Sequence, residues 1–293
     1  MSSGLETGLA ICRFGHDLSL MLAFGVALFV WLLANKALRP VLGAQMRPLA
    51  LAAAWIALAS GIFEFLLVAA SMEGAWSGAL SPETLSNALT STDFGPVWTA
   101  HIVLTASALL LLALQPTAGY APAALASGAA LVSLASTGHA GLPGGGLGAL
   151  HRLNDAAHLL CAGAWLGSLP PFVTTLRLCR DPERKRDAVA ALMRFSSVGH
   201  FLVAALFASG VANIALTTGF TSAVNLYREL LAAKILFALA MVGLALWNRY
   251  YVVARLRTSG PALDQLRVSA LAEILLGVAV VALVAQFGIL APN

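Results

Sequence analysis

Charged residues are scarce in this chain. Asp, Glu, Lys and Arg make up 10% of its 293 residues, whereas an average soluble protein has about 25%. So few charges cannot cover the surface of a water-soluble domain of this length. Hydrophobic residues make up 59% instead, and the mean hydropathy is +0.86. The composition therefore excludes a soluble globular protein and indicates an integral membrane protein.

The chain also lacks the signals of several other protein classes. Its three cysteines, Cys12, Cys161 and Cys179, have no regular spacing, which excludes a disulfide framework. The first 20 residues lack the basic leader and small-residue cleavage site of a signal peptide, so we expect the first hydrophobic segment to be retained. The Gly-rich stretch 141–148 follows a hydrophobic segment and not a strand, which predicts an external loop. We find no phosphate-binding loop or ATPase domain.

Long hydrophobic runs fill most of the chain. A helix needs about 20 mostly apolar residues to cross a bilayer. Eight stretches of about that length run over residues 10–34, 48–71, 97–115, 121–138, 153–176, 193–217, 228–251 and 268–289. We therefore predict an all-α polytopic bundle of about eight transmembrane helices, forming a single transmembrane domain over residues 1–293. Gly163 and Gly167 lie four residues apart in the fifth stretch, which predicts a close approach by a neighbouring helix.

Basic residues are concentrated in alternate loops. Thirteen of the 17 lie in three of them: Lys36, Arg39, Arg47, Arg177, Arg180, Arg184, Lys185, Arg186, Arg194, Arg249, Arg255, Arg257 and Arg267. The other side of the membrane holds three, and its longest loop, 72–95, carries only acids. By the positive-inside rule the basic loops are cytoplasmic, which places both termini in the periplasm. Membrane insertion accounts for the basic excess, so no nucleic-acid partner is expected.

Histidines collect on the opposite side from these basic loops. Five of the six lie at or near that periplasmic face: His16, His101, His139, His151 and His158. A histidine within hydrocarbon is costly and indicates a functional site. His101 and His158 lie within apolar segments at matching depth, although each could instead make a hydrogen bond between helices.

Sulfur-containing side chains accompany these histidines. Cys12 and His16 are spaced i and i+4, Cys161 lies one turn from His158, and Met72 ends the second stretch. Imidazole with thiolate or thioether suits copper, especially Cu(I), whereas Mg²⁺ would want carboxylates. The predicted ligands are His139, His158 and His101, with His16, Met72, Cys161 and Cys12 as secondary candidates. The alternative for the cysteines and the methionine is a packing role.

Further polar residues interrupt the hydrophobic stretches. Glu64, Lys234 and Asn213 lie at similar depth in the periplasmic half, whereas His200 and Glu273 lie in the cytoplasmic half. Isolated charges are costly at this depth, so we expect Glu64 and Lys234 to form an ion pair that has a structural role. In the functional alternative, Glu64 is a relay below the histidines. His200 and Glu273 could also pair. All five are candidates for a transport pathway.

The order of these motifs resembles one known family. Gly138-His139-Ala140, His151…Asn154-Asp155…His158 and Ala164-Trp165-Leu166-Gly167-Ser168-Leu169-Pro170 are similar to the signature region of the CopD/PcoD copper-resistance membrane proteins. Further matches are Arg194-Phe195-Ser196, Ser209-Gly210…Asn213, Tyr227…Leu231…Lys234, Asn248-Arg249 and Glu273. The specific motifs cover about residues 138–275, and the first half matches by helix count and length.

This resemblance implies an inner-membrane protein of copper homeostasis that works with a periplasmic CopC-type copper carrier and moves copper inward. The residues that match the family pattern are His139, His158, Trp165, Asn213, Lys234 and Glu273. Together with the residue patterns, it predicts a protein that binds copper at its periplasmic face and moves it across the inner membrane, without being an enzyme. Two alternatives stay open: a b-type cytochrome in which paired histidines ligate haem, and a copper-binding sensor or scaffold that does not transport.

Overall fold

The computed structural model describes residues 3–115, 118–137, 145–217, 226–253 and 262–288. Over these ranges the chain is helical and has no strands. The α-helices are α1 (Ser3–Leu28), α2 (Leu38–Glu73), α3 (Pro82–Thr90), α4 (Phe94–Leu114), α5 (Tyr120–Leu134), α6 (Gly145–Leu166), α7 (Leu169–Leu178), α8 (Lys185–Thr217), α9 (Leu226–Trp247) and α10 (Ala262–Phe287). Short π-helical turns, Phe29–Leu33 and Asn248–Val252, extend α1 and α9. The prediction of an all-α polytopic bundle is confirmed.

Seven helical segments of the described chain are long and apolar enough to cross a membrane. They are Gly4–Leu33, Leu38–Glu73, Phe94–Leu114, Gly145–Leu178, Lys185–Thr217, Leu226–Val252 and Ala262–Gln286. The fourth of the eight predicted spans is shorter than expected, because α5 has only 15 residues. The helix α5 is therefore about 22 Å long, whereas the hydrocarbon core of a bilayer is about 30 Å thick.

The helix α5 nevertheless runs through the bundle from one end towards the other. At its start, the Tyr120 hydroxyl donates a hydrogen bond to the carbonyl oxygen of Gly43, near the beginning of α2 (2.6 Å). Near its end, the Ala130 carbonyl and the Ser133 hydroxyl meet the His101 imidazole, in the first third of α4. Hence α5 is antiparallel to α4 and returns the chain across the bundle.

The first part of α1 and the end of α10 lie at the same end of the bundle. The Arg13 guanidinium of α1 donates a hydrogen bond to the carbonyl oxygen of Gly288, just after α10 (3.0 Å). We call this the terminal end. Its assignment to the periplasm rests on the loop charges and stays a prediction.

The centre of the bundle is α1, which packs against α2, α5, α6 and α10. It crosses α6 in backbone contact: a Cβ atom added to Gly167 would lie 2.1 Å from the carbonyl oxygen of Met21. A Cβ atom on Gly25 would lie 2.4 Å from the backbone of Gly167. The close approach predicted from Gly163 and Gly167 is therefore confirmed. It fixes α6 against the helix that carries His16.

The loop 72–95 contains structure that the sequence analysis did not predict. A 3₁₀-helix, Trp76–Leu80, precedes α3 there. The side chain of Ser81 accepts a hydrogen bond from the backbone N–H of Thr84, and Pro82 occupies the first helical position. Both are helix-start signals that the sequence contains.

Candidate metal site

Two buried histidines meet between α1, α2, α4 and α5. His16 and His101 are both completely buried, and their Nε2 atoms lie 2.9 Å apart. The ring centroids are 4.9 Å apart and the ring planes are inclined at 56°, so the imidazoles meet through these nitrogens and do not stack face to face. The two Nε2 atoms therefore face a single point between the helices.

The other nitrogen of each ring is held by a neighbouring helix. His16 Nδ1 lies 2.9 Å from the Ala57 carbonyl oxygen and 3.2 Å from Ser60 Oγ. His101 Nδ1 lies 3.1 Å from the Ala130 carbonyl oxygen and 2.9 Å from Ser133 Oγ. A carbonyl oxygen can only accept, so it favours the tautomer with the proton on Nδ1 and the lone pair on Nε2. Metal-ligating histidines are typically held in this way.

These hydrogen bonds determine what can lie between the rings. With both Nδ1 atoms protonated, two Nε2 lone pairs face each other, and a proton or a metal cation must lie between them. The hydroxyls of Ser60 and Ser133 can also donate a hydrogen bond to Nδ1, so one ring can adopt the other tautomer, with its proton on Nε2. Without a cation, an N–H···N hydrogen bond then joins the two Nε2 atoms. The site can thus be satisfied both without and with a cation.

The walls of this site are tight. The Trp98 ring stacks on His101, with centroids 4.9 Å apart, and its indole N–H donates to the Gly61 carbonyl oxygen (3.1 Å). A Cβ atom on Gly61 would lie only 3.1 Å from Cε1 of His16, so the α2 backbone comes up against that ring. A metal held in line at about 2 Å from each nitrogen needs the two Nε2 atoms about 4 Å apart, against 2.9 Å here. Separating the rings by about 1 Å admits an ion, whereas a porphyrin would displace Trp98 and α2.

The secondary sulfur ligands lie in different places. The Cys12 thiol donates to the Ser60 carbonyl oxygen (3.1 Å), so Cys12 shares a neighbour with His16. Met72 is exposed at the end of α2, and Cys161 is half-buried in α6. Within the described ranges, no three His, Cys, Asp or Glu side chains form a metal-binding group. Among the described residues, the histidine pair therefore offers two facing nitrogen donors and no third ligand.

Two of the three primary ligands predicted from the sequence, His101 and His158, do not lie together. His158 of α6 bonds through Nδ1 to Ser209 Oγ of α8 (3.0 Å), whereas His101 faces His16. His151 is buried, with Nε2 3.4 Å from Thr217 Oγ1. His139 lies outside the described residues. The division arises because α6 presents this stripe to α8, while α4 packs on α2 and α5.

His158 belongs instead to a polar network that joins α6, α8 and α9. Asn154 Nδ2 donates to Asn213 Oδ1 (2.7 Å), and Asn213 Nδ2 donates to Asp155 Oδ1 (2.9 Å). Lys234 of α9 lies within electrostatic range of both Asp155 and His158. Asn213 and Lys234, two of the predicted pathway residues, are thus close to His158.

The ion pair predicted between Glu64 and Lys234 is wrong. Glu64 pairs with Arg13, with 3.0 Å between Nε and Oε1. The reason is that α1 packs along α2, which carries Glu64, whereas α9 packs on α10. Asp17 lies within electrostatic range of both Arg13 and Glu64. Arg13 and Asp17 were not predicted as part of this network, although their i, i+4 spacing inside an apolar stretch was a signal.

The possible pairing of His200 with Glu273 is not found either. His200 bonds through Nδ1 to the Ser196 carbonyl oxygen (2.8 Å) and through Nε2 to the Tyr250 hydroxyl (3.3 Å). Glu273 accepts a hydrogen bond from Asn248 Nδ2 (2.9 Å). Both residues line one large cavity at the end of the bundle opposite the terminal end.

The chain is similar to known copper-resistance and inner-membrane proteins. A family model described as "Copper resistance protein D-like, N-terminal domain" matches residues 4–149, and one described as "Copper resistance protein D" matches residues 189–287. "Inner membrane protein YebZ" of Escherichia coli (strain K12) is 37% identical over 246 residues, which cover 84% of each chain. "Copper resistance protein D" of Pseudomonas syringae pv. tomato is 30% identical, covering 99% of this chain and 98% of that protein.

No solved structure matches the chain. The sequence relatives cover nearly its whole length, including the first half, where the resemblance rested mainly on helix count and length. The chain belongs to the copper resistance protein D family of inner-membrane proteins.

Proposed function

We propose that the protein is a copper permease and not an enzyme. It binds Cu(I) between the Nε2 atoms of His16 and His101 and moves the ion across the inner membrane. The observation that carries this proposal is the facing pair of completely buried imidazoles, each held through Nδ1 by a carbonyl oxygen of a neighbouring helix.

Two ligands in line suit Cu(I) better than the other metals that imidazole binds. Structural Zn²⁺ takes four ligands in a tetrahedron, and hard cations take oxygen cages. The pair offers two nitrogens, and the nearest carboxylate network is already engaged: Glu64 is paired with Arg13. The family supports copper as the cargo, because one relative is named a copper resistance protein.

A site with two ligands also suits transport. Conduction requires binding that is strong enough to capture the ion and weak enough to release it. Cys12 is a candidate for an entry ligand because it contacts Ser60, which also contacts His16. His139, His158, Met72 and Cys161 remain candidates for capture, and Glu64, Asn213, Lys234, His200 and Glu273 for the pathway. By family resemblance, a periplasmic CopC-type carrier is the proposed donor of copper.

Copper uptake into proteoliposomes tests the proposal. We expect the wild type to carry copper, His16→Ala and His101→Ala to abolish both binding and flux, and His200→Ala to retain binding. His200→Ala is the matched control for binding only, because His200 is an exposed histidine within a span, far along the chain from the pair, and as a pathway candidate its loss should reduce flux. A well-folded wild type without flux above empty liposomes, in either direction and with or without a proton gradient, would reject the permease and favour a sensor or scaffold.

A visible spectrum of the purified protein separates copper from haem. We expect colourless reduced protein that binds about one Cu(I) per chain, because the tight packing around His101 suits a bare ion. An intense Soret band that is lost in His16→Ala or His101→Ala would instead assign haem to the pair. If His158→Ala loses copper binding while His16→Ala and His101→Ala keep it, the copper site lies in the network of α6 and α8.

A further inference from the structure

A glutamic acid lines the large cavity between α7, α8, α9 and α10, away from the histidine pair. The cavity has a volume of about 1510 Å³. One stripe of α10 lines it, through Leu263, Leu266, Ala270 and Glu273, whose spacing of three and four residues follows one face of a helix. Glu273 is the last of these, about 15 Å along the helix from Leu263 at 1.5 Å per residue. Its carboxyl group therefore lies well inside the membrane-spanning segment, at the wall of the cavity.

The Glu273 side chain is buried without a cationic partner. The residue is 4% exposed. In the described part of the chain, no Lys, Arg or His side chain forms an ion pair with it. Its oxygen Oε1 accepts a hydrogen bond from Asn248 Nδ2 (2.9 Å). A buried carboxylate without a cation is costly, so a carboxyl group in this setting either holds a proton or binds a cation.

The cationic groups around the cavity are engaged elsewhere. Arg180 pairs with Asp264 (2.6 Å), and Arg249 donates to the Ser196 hydroxyl (2.6 Å). His200 bonds through Nδ1 to the Ser196 carbonyl oxygen (2.8 Å). The charged and titratable residues that line the cavity with Glu273 are Cys179, Arg180, Lys185, His200 and Arg249.

The other helices near Glu273 carry their titratable groups closer to the terminal end. Arg13 of α1 meets the carbonyl oxygen of Gly288, 15 residues beyond Glu273 on the α10 side. The nearest such residues on α1, α6 and α9 are Asp17, Cys161 and Lys234. Among the described residues, the immediate polar partner of the Glu273 carboxyl group is thus the Asn248 amide.

The amide oxygen of Asn248 lacks a hydrogen-bond donor. Asn248 is 8% exposed and lines the cavity, and its Oδ1 atom is buried without a partner among the described residues. A carboxylate has only acceptor oxygens, whereas a protonated carboxyl group has one O–H donor. Leaving a buried acceptor unpaired is costly. A proton on Glu273 therefore removes two costs together, the buried charge and the unpaired amide oxygen.

We propose that Glu273 and Asn248 form a proton-binding site, and that this site couples copper movement to protons. In the protonated pair, Asn248 Nδ2 donates to one carboxyl oxygen of Glu273, and the Glu273 O–H donates to Asn248 Oδ1. Release of the proton leaves a carboxylate at the wall of the cavity. The coupling role rests on the copper permease proposed above, whereas the proton site stands whether or not the protein transports copper.

Infrared spectroscopy of the purified full-length protein tests the proton site. At neutral pH we expect a C=O band of a carboxylic acid that shifts in D₂O and is lost in Glu273→Gln. This variant should fold, because the glutamine amide can make both hydrogen bonds with Asn248. Glu64→Gln is the matched control: Glu64 is similarly buried but paired with Arg13 (3.0 Å), so its replacement should leave the Glu273 band in place.

A second variant tests the pairing of the two side chains. Asn248→Leu is close in size and removes both hydrogen bonds, so the acid band of Glu273 should remain but move to higher frequency. An unchanged band position would contradict the pairing with Asn248.

Copper accumulation in proteoliposomes tests the coupling. With one proton moved per copper ion and the membrane potential clamped, a gradient of about one pH unit should change the accumulation ratio of the wild type about tenfold, since a tenfold proton gradient can sustain a tenfold copper gradient. Glu273→Gln should not respond to the gradient. Glu229→Gln, at an exposed carboxyl in the first turn of α9, is the control and should respond like the wild type.

The two parts of the proposal fail in different ways. Absence of an acid band specific to Glu273 would overturn the proton site, and loss of that band on adding sodium chloride at constant pH would assign the site to a metal cation. Copper accumulation that ignores the proton gradient would overturn the coupling. Absence of any copper flux would reject the permease and the coupling role together, while the acid band would still be present.

Discussion

The pairing of Glu64 decides between two views of the charges inside the membrane. The sequence favoured Lys234 as its partner, whereas the structure places Arg13 3.0 Å away. A double-mutant cycle distinguishes the two. We expect strong coupling between Arg13→Met and Glu64→Gln, and additive effects of Lys234→Met and Glu64→Gln.

The magnitude follows from burial. Removing one partner of a buried ion pair costs about 3–5 kcal/mol. The Glu64 side chain is 7% exposed but that of Arg13 is 30% exposed, so screening reduces the expected coupling to about 1–3 kcal/mol. Lys234 interacts with Asp155, so its cycle with Glu64 should be additive within about 0.5 kcal/mol.

The assay is unfolding in detergent micelles, by titration with SDS, followed by circular dichroism. Arg13→Met should be the more destabilising single change, because it also removes the hydrogen bond to the Gly288 carbonyl that ties α1 to α10. A larger coupling for Lys234 with Glu64 than for Arg13 with Glu64 would refute this account of the charge network.

Three other predictions can be checked separately. Copper affinity should fall at least about 100-fold in His16→Ala and in His101→Ala, and no further in the double variant, because either change destroys the linear site. A competition titration with a chromogenic Cu(I) chelator measures the affinity, and additive losses in the double variant would contradict the prediction. Burial raises the pKa of the Cys179 thiol to about 11, partly offset by Lys185. The test uses a variant with serine at the other two cysteines. At pH 8, Cys179 in the folded variant should therefore be alkylated about 100-fold more slowly than in the unfolded chain, and the rate should rise with pH as the thiolate forms. A rate within tenfold of that of the unfolded chain would argue against a buried thiol. Alkaline phosphatase fused after Asn293 should be active and a fluorescent protein there dark, because the loop charges predict a periplasmic C-terminus. The opposite pattern would invert the predicted topology.

Hydrophobic runs and glycine spacing predicted the fold well, because both act locally along the chain. The crossing at Gly163 and Gly167 was visible in the sequence, since close helix packing needs small residues four apart. The break between α6 and α7 and the shortness of α5 were not predicted, because apolar composition alone does not show where a helix ends inside a bundle.

The site was harder to predict, because it depends on which helices are neighbours. His101 and His158 lie at matching depth in their apolar segments, and this depth was the reason for predicting both as ligands of one site. In the structure His101 faces His16, which the sequence suggests only as a secondary ligand. The residues that fix this pair, Ser60 and Ser133, carry no signal of their own in the sequence. One sign was available, because Trp98 lies one turn before His101 on the same face of α4.

The short helix α5 has a consequence for the lipid around it. Leu125 and Val132 of this helix are 63% and 41% exposed, so one of its sides faces acyl chains. At about 22 Å it is roughly 8 Å shorter than a typical hydrocarbon core, and hydrophobic mismatch of this kind is relieved when the bilayer thins beside the protein. Its last turns hold His101 through Ala130 and Ser133. The thickness of the surrounding membrane therefore bears directly on the imidazole pair, and lipids with longer chains would pull on the helix that orients one of its two nitrogens.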